Sequence, residues 1–147
     1  MIKALALVGT FVSGPLWAGS AWDMFEARCL DPYEHLTEPV VDGLAVQPVD
    51  GMHESLRAYG PTDDGYLLVL DAAPTAGERT CSVYKLGNTD FEPTFVSWAE
   101  ANKTSGRYLP EPGRYVSNQW IEPQLHLMAE IRPEGLHYQV METDLES

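Results

Sequence analysis

The sequence predicts an α+β domain: about five mostly antiparallel strands, with an N-terminal helix and a mid-chain helix packed on one face. Three observations carry this expectation. Near the start, Trp22, Phe25, Cys29, Tyr33 and Leu36 recur at three- and four-residue steps, which is one face of a helix. The second half is dominated by β-rich runs that follow one another across short turns, the pattern of hairpins and meanders. Helical and strand segments do not alternate regularly, as a parallel sheet built from βα units would require.

Ahead of the domain, Met1-Ile2-Lys3 is a short positive segment, and Ala4 to Val12 is an apolar run too short to span a bilayer. Ser13-Gly14-Pro15 breaks the run, and small residues follow at Ala18, Gly19, Ser20 and Ala21. That order is the layout of a secretory signal peptide, so residues 1–20 are expected to be removed and residues 21–147 to form a single domain. Cleavage after Ala18 and cleavage after Ser20 both satisfy the small-residue preference. No cysteine sits at either cut, so no lipid anchor is expected.

The first helix should run to about Leu30. Asp31-Pro32-Tyr33-Glu34 then reads as a fresh start, with an acidic cap and a proline in the first turn. Thr37 to Gly65 is the least organised stretch, with His53 to Tyr59 expected as a two-turn helix stopped by Gly60-Pro61. Tyr66 to Ala72 and Thr80 to Leu86 form a strand pair, separated by a loop that carries Pro74 and Gly77. Asp90 should cap a helix from Phe91 to about Lys103, with Phe91, Phe95, Trp98 and Asn102 along one side; Pro93 is tolerated in its first turn. Gly106 to Gly113 reads as a Pro/Gly loop. A meander closes the chain: Arg114 to Ile121, Gln124 to Ile131 and Leu136 to Glu142.

Removing residues 1–20 leaves 8 basic against 22 acidic residues, a net charge of −14. Duplex DNA carries about one negative charge per 1.7 Å and repels such a surface; anionic membranes do likewise. No nucleic-acid partner is therefore expected. Beyond the leader, no apolar run approaches the roughly 20 residues that cross a bilayer, so no membrane insertion is expected after cleavage. The two cysteines, Cys29 and Cys81, lie too far apart in sequence for a C-x-x-C redox pair. In an exported chain they are expected to form a structural disulfide. Closing a loop of about 50 residues is worth about 4 kcal/mol in the chain-entropy account.

The most chemically suggestive stretch is LHLMAEIRPEGLHYQVME, Leu125 to Glu142. If both strands turn their apolar residues to the same face, Ile131 opposes Leu136, Ala129 opposes Tyr138 and Leu127 opposes Val140. His126 then lies opposite Met141, with Met128 two residues along: one imidazole and two thioethers, a soft set suited to monovalent copper. A bulged turn at Arg132 to Gly135 would instead shift the register by one residue and separate the set. Burying large apolar side chains outweighs a turn preference, which favours the first register. His137 would stand opposite Glu130, roughly 13 Å from His126 along the strand.

Other signatures are missing from the sequence: there is no G-x-S-x-G, P-loop or G-x-G-x-x-G. The His53-Glu54 pair lacks the second histidine of a zinc protease, since Arg57 holds that place. The reading is an exported, periplasmic binding or accessory module whose partner is an unidentified protein or small ligand, with no cofactor required and no catalytic residue assigned. Trp98, Tyr108 and Trp120 are its expected contact surface. Two alternatives stand beside it: a small secreted enzyme with a site assembled from loops, and a copper carrier that uses His126, Met128 and Met141.

Overall fold

The computed structural model describes residues 19–48, 50–72, 78–118 and 123–143. Apart from Gly19 and Ser20, the expected leader therefore lies outside the described residues. The class is α+β, but among the described residues the sheet has eight strands, not five. In chain order these are β1 (Val46–Gln47), β2 (Leu56–Tyr59), β3 (Tyr66–Asp71), β4 (Thr80–Leu86), β5 (Tyr108–Glu111), β6 (Arg114–Ser117), β7 (Gln124–Arg132) and β8 (Gly135–Thr143). All neighbours pair antiparallel in the order β1-β2-β3-β4-β8-β7-β6-β5. Two four-stranded meanders thus join along β4 and β8, and the segment between them carries the long helix.

The three extra strands come from stretches expected to be helix, loop or unorganised. His53 to Tyr59 is not a helix: Leu56–Tyr59 pairs with β3, Ala58 against Val69. Its short apolar pattern fits either period, and the neighbouring strand decides it. Gly106 to Gly113 is not a bare loop, because Tyr108–Glu111 pairs with β6. Pro110 is accommodated there because β5 is the sheet's last strand, where a missing N–H is tolerated.

The N-terminal segment forms one continuous helical run in three parts. α1 (Ala21–Phe25) passes through one π-helical turn, Glu26–Leu30, into α2 (Asp31–Glu34). The expected break at Asp31 is absent, since Asp31 keeps helical angles. Pro32 has no N–H to offer the Arg28 carbonyl one turn back, and the Val40 amide fills that place at 3.0 Å. The helix start is held twice. Ser20 and Asp23 form a reciprocal capping box, and the carboxylate of Glu92 accepts from the amides of Ala21 (2.9 Å) and Trp22 (2.8 Å).

α3 (Pro93–Ser105) starts two residues later than expected, and Glu92, not Asp90, is the boundary residue. A residue before proline is pushed out of helical angles, and Glu92 is extended (ψ 147°). That geometry turns its side chain into the core. The helix ends at Gly106, which adopts φ +64°, a conformation glycine enters without steric cost.

Both helical segments cover one sheet face. Trp22 meets Phe25, Phe95, Trp98 and Tyr138 with ring centroids 5.1–5.3 Å apart. Leu68, Val83, Leu127, Leu136 and Val140 complete the core beneath them. Cys29 and Cys81 form a disulfide with Cα atoms 5.5 Å apart; it staples the π turn to β4. The β7–β8 register is the one favoured by apolar burial: Leu127 opposes Val140, Ile131 opposes Leu136 and His126 opposes Met141. The ladder runs on to Arg132 opposite Gly135, leaving only Pro133 and Glu134 in the turn. Gly135 sits at φ +147°, where any side chain would collide with the Lys85 carbonyl. Glycine is what lets β8 close against β4 at that end.

Glu92 is a buried group with partners from α1, β4 and β8, and removing it should be costly. Glu92→Ala would strand two helix amides and the Tyr138 hydroxyl, an expected loss of about 3–5 kcal/mol. Urea unfolding measures this against Glu100→Ala, an exposed position expected to change stability by less than about 0.5 kcal/mol.

Candidate functional site

The second sheet face is built by the alternation that buries the first. With Leu125, Leu127 and Ala129 turned to the helices, His126, Met128 and Glu130 point the other way; on β8 His137, Gln139 and Met141 do the same. His126 is opposite Met141, and Met128 is opposite Gln139. Directly opposed residues bring their side-chain bases to about 5 Å, so His126, Met128 and Met141 share one patch. His126 is only 8% exposed, and its Nδ1 has no hydrogen-bond partner among the described residues. Burial lowers its pKa from the ordinary histidine value, and the Arg114 guanidinium pushes it further the same way. Met128 and Met141 are half-buried.

His137 lies apart from that set, opposite Glu130. Its ring stacks on Tyr84 at 4.3 Å. Arg132 donates to both neighbours of the ring, to Glu130 at 2.9 Å and to the Tyr84 hydroxyl at 3.4 Å. The imidazole is 1% exposed, and Glu130 Oε2 stands 3.7 Å from Nδ1, beyond hydrogen-bond reach. Burial first, and then the Arg132 charge, lower its pKa to about 4. His137 is a neutral ring held inside a cage of charged and aromatic neighbours.

Of the expected aromatic surface, Tyr108 is 2% exposed and its hydroxyl donates to Glu34 at 2.6 Å. It is a core anchor, held also by Asn102, which bonds its backbone at both ends. Trp120 lies outside the described residues. Trp98 is half-buried and packs on Trp22, Tyr108 and Tyr115. One side of its indole lines an open groove of about 450 Å³ between α1 and α3, with Trp22, Asp23, Glu26, Thr94 and Ser97.

The groove is acidic on its α1 side. Glu26 has its pKa raised, first by partial burial of the carboxyl and then by the negative charges of Asp23, Glu34 and Asp31. Among the described residues no lysine or arginine pairs with Glu26 or Asp23. A second cleft, of about 340 Å³, lies between α2 and the β2–β3 ladder. There Arg79 lies 4.6 Å over the Tyr33 ring and forms ion pairs with Glu142 and Glu38. Hydrogen bonding to the buried Glu142 raises the Arg79 pKa, so the charge in that cleft is already compensated within the fold.

Sequence patterning did not single out Glu92, Arg79, Asp23 or Glu26. Glu92 alone carried a local signal, its position before Pro93. Comparison with known protein families, curated proteins and solved structures finds no match to this chain.

The His137 cage makes stability depend on pH in a definite direction. With a folded pKa near 4 against an ordinary value near 6.5, protonation favours the unfolded chain. This contribution is complete above about pH 6.5 and is lost as pH falls toward 4. Between about pH 7 and pH 5 the loss from this residue should be on the order of 2 kcal/mol. His137→Phe keeps the stack on Tyr84 without the titration. Its urea-unfolding free energy should therefore fall less than that of the wild type over the same interval.

Proposed function

We propose that this chain is an exported binding module that seats a basic segment of a partner protein in the groove between α1 and α3. The observation that carries the reading is the arrangement of Trp98 beside Asp23 and Glu26 in one open groove. An indole face beside carboxylates that pair with no lysine or arginine among the described residues attracts such a side chain through both charge and cation–π contact. The raised Glu26 pKa points the same way: a carboxyl crowded by negative neighbours gains when a cation arrives. The net charge of the full chain, −13, would speed encounter with a basic partner. Export is supported by the leader-like residues 1–20 and by the Cys29–Cys81 disulfide, since such crosslinks persist in oxidising compartments. Among the described residues no helix is long and apolar enough to cross a membrane.

Titration with an oligo-arginine peptide, followed by tryptophan fluorescence at low and moderate salt, tests the groove. Saturable quenching is expected, weakened about tenfold or more by Glu26→Lys and by much less in Glu54→Lys, an exposed acid on a different part of the surface. Equal loss in the two variants would mean that charge attraction acts without a site.

A second reading, a carrier of monovalent copper, is favoured by the observed register, which places His126 opposite Met141. The unpartnered and buried His126 Nδ1 and two half-buried thioethers supply soft donors. Titration of the mature protein with Cu(I) against a competing chelator should show one equivalent bound, weakened at least tenfold in Met141→Leu. Affinity no tighter than millimolar would end this reading.

A further inference from the structure

We infer that the exported chain is cut between Ala18 and Gly19, so that the mature domain keeps Gly19 and Ser20. The inference rests on the export reading above and goes beyond it by choosing between two cleavage positions that sequence alone leaves equal. Gly19 and Ser20 are integral to the fold. The Gly19 carbonyl accepts from the Tyr66 hydroxyl at 2.9 Å, tying the entry of α1 to β3. The Ser20 hydroxyl accepts from the Asp23 amide at 3.2 Å, and the Ser20 amide donates to the Asp23 carboxylate at 3.1 Å. That hydroxyl also lies 2.6 Å from the Thr94 hydroxyl of α3. The Ser20 carbonyl accepts from the Met24 amide at 3.1 Å. A cut after Ser20 would remove every one of these bonds and leave the helix without its cap.

Electrostatics separate the two cuts further. The later cut creates an ammonium at Ala21, a fully buried residue at the positive end of a helix, where a cation is disfavoured. The Ala21 nitrogen already lies 2.9 Å from Glu92, so the new ammonium would take the place of an amide on a carboxylate that also receives the Trp22 amide and the Tyr138 hydroxyl, with Lys85 at 3.7 Å. That pairing offsets part of the cost of burying the charge, whereas an ammonium on Gly19 keeps its contact with water. The earlier cut places the ammonium on Gly19, which is only half-buried and lies beside Asp23. A side-chain carbon on Gly19 would stand 3.0 Å from Asp23 Oδ2 and 3.0 Å from its Cβ. The same closeness accounts for a glycine there, because any side chain would press on the capping box.

The test is the intact mass and N-terminal sequence of the protein recovered after export of the full chain, for the wild type and for Ser20→Ala. The wild type is expected to begin at Gly19. The variant's mature form is expected to be lighter by one oxygen atom and to melt several degrees lower. A wild type beginning at Ala21, with the variant's mature product identical in mass and melting temperature, would overturn the inference while leaving export intact. Any other new N-terminus would overturn it as well. Retention of Met1 on protein that stays in the cell would instead overturn the export reading, and the inference with it.

Discussion

The fold turns on one buried carboxylate. Glu92 stands at the entrance of α3, yet its oxygens serve α1, through two amides, and β8, through the Tyr138 hydroxyl, with Lys85 of β4 nearby. A buried acid is tolerable only when its oxygens are filled and a cation lies close. Here the filling groups come from the N-terminal helix and from both strands of the sheet's central seam. Proline at position 93 fixes the extended backbone that aims the side chain inward. The aromatic cluster of Trp22, Phe95, Trp98 and Tyr138 can then close around a helix whose end is already in place. The disulfide acts at the other end of the same run, so the N-terminal segment is fixed to the sheet by charge at its start and by a covalent bond nearer its end.

The seam between β4 and β8 explains how a chain of local hairpins becomes one sheet. Each four-stranded meander forms from near neighbours in sequence, but seven residue pairs from Thr80 with Met141 to Leu86 with Gly135 join them. That joining requires the chain to travel through α3 to the far edge and return strand by strand. The apolar layer of Val83, Leu136, Tyr138 and Val140 supplies the driving force, and Gly135 supplies the room. Because side chains alternate along each strand, the choice of buried face on β7 and β8 also fixes which residues crowd together on the other face. The juxtaposition of His126 with Met141 is a consequence of packing Leu127 against Val140.

What the sequence made legible follows from the strength of each local signal. The long strands β3, β4, β7 and β8 were readable because several β-branched or alternating apolar residues agree with one another, and α3 because its apolar spacing spans three turns. The register of the last hairpin was readable from burial energies alone. The short strands were not. Leu56–Tyr59 has too few residues to distinguish a strand from a helical turn, and Tyr108–Glu111 contains a proline that argues against a strand until its edge position is known. Tyr108 looked like surface because nothing local reveals that Glu34 and Asn102 hold it inward. The acid-rimmed groove was invisible for a related reason: Asp23 and Glu26 sit one turn apart on a helix that also exposes Asp31, so they do not stand out, and only the packing of α3 brings Trp98 beside them.

The two faces of the sheet put different demands on any ligand. On the helix side, Trp98 offers a flat apolar surface next to Asp23, which accepts from the Ser20 amide, and Glu26, and among the described residues neither is paired with a lysine or arginine. The second cleft contrasts with it: Arg79 is held by Glu142, Glu38 and the Tyr33 ring, and a ligand there would have to compete with three existing contacts. On the opposite face, the caged His137 already feels the charge of Arg132, which disfavours any second positive charge. On His126 the Arg114 guanidinium acts in the same direction. Arg114 is itself paired with Glu111 at 2.8 Å, which screens part of that repulsion. Of the sites compared, the groove between α1 and α3 is the one whose acids have no lysine or arginine partner among the described residues, and the His/Met patch would accept a cation only if soft-donor bonds outweigh a neighbouring guanidinium.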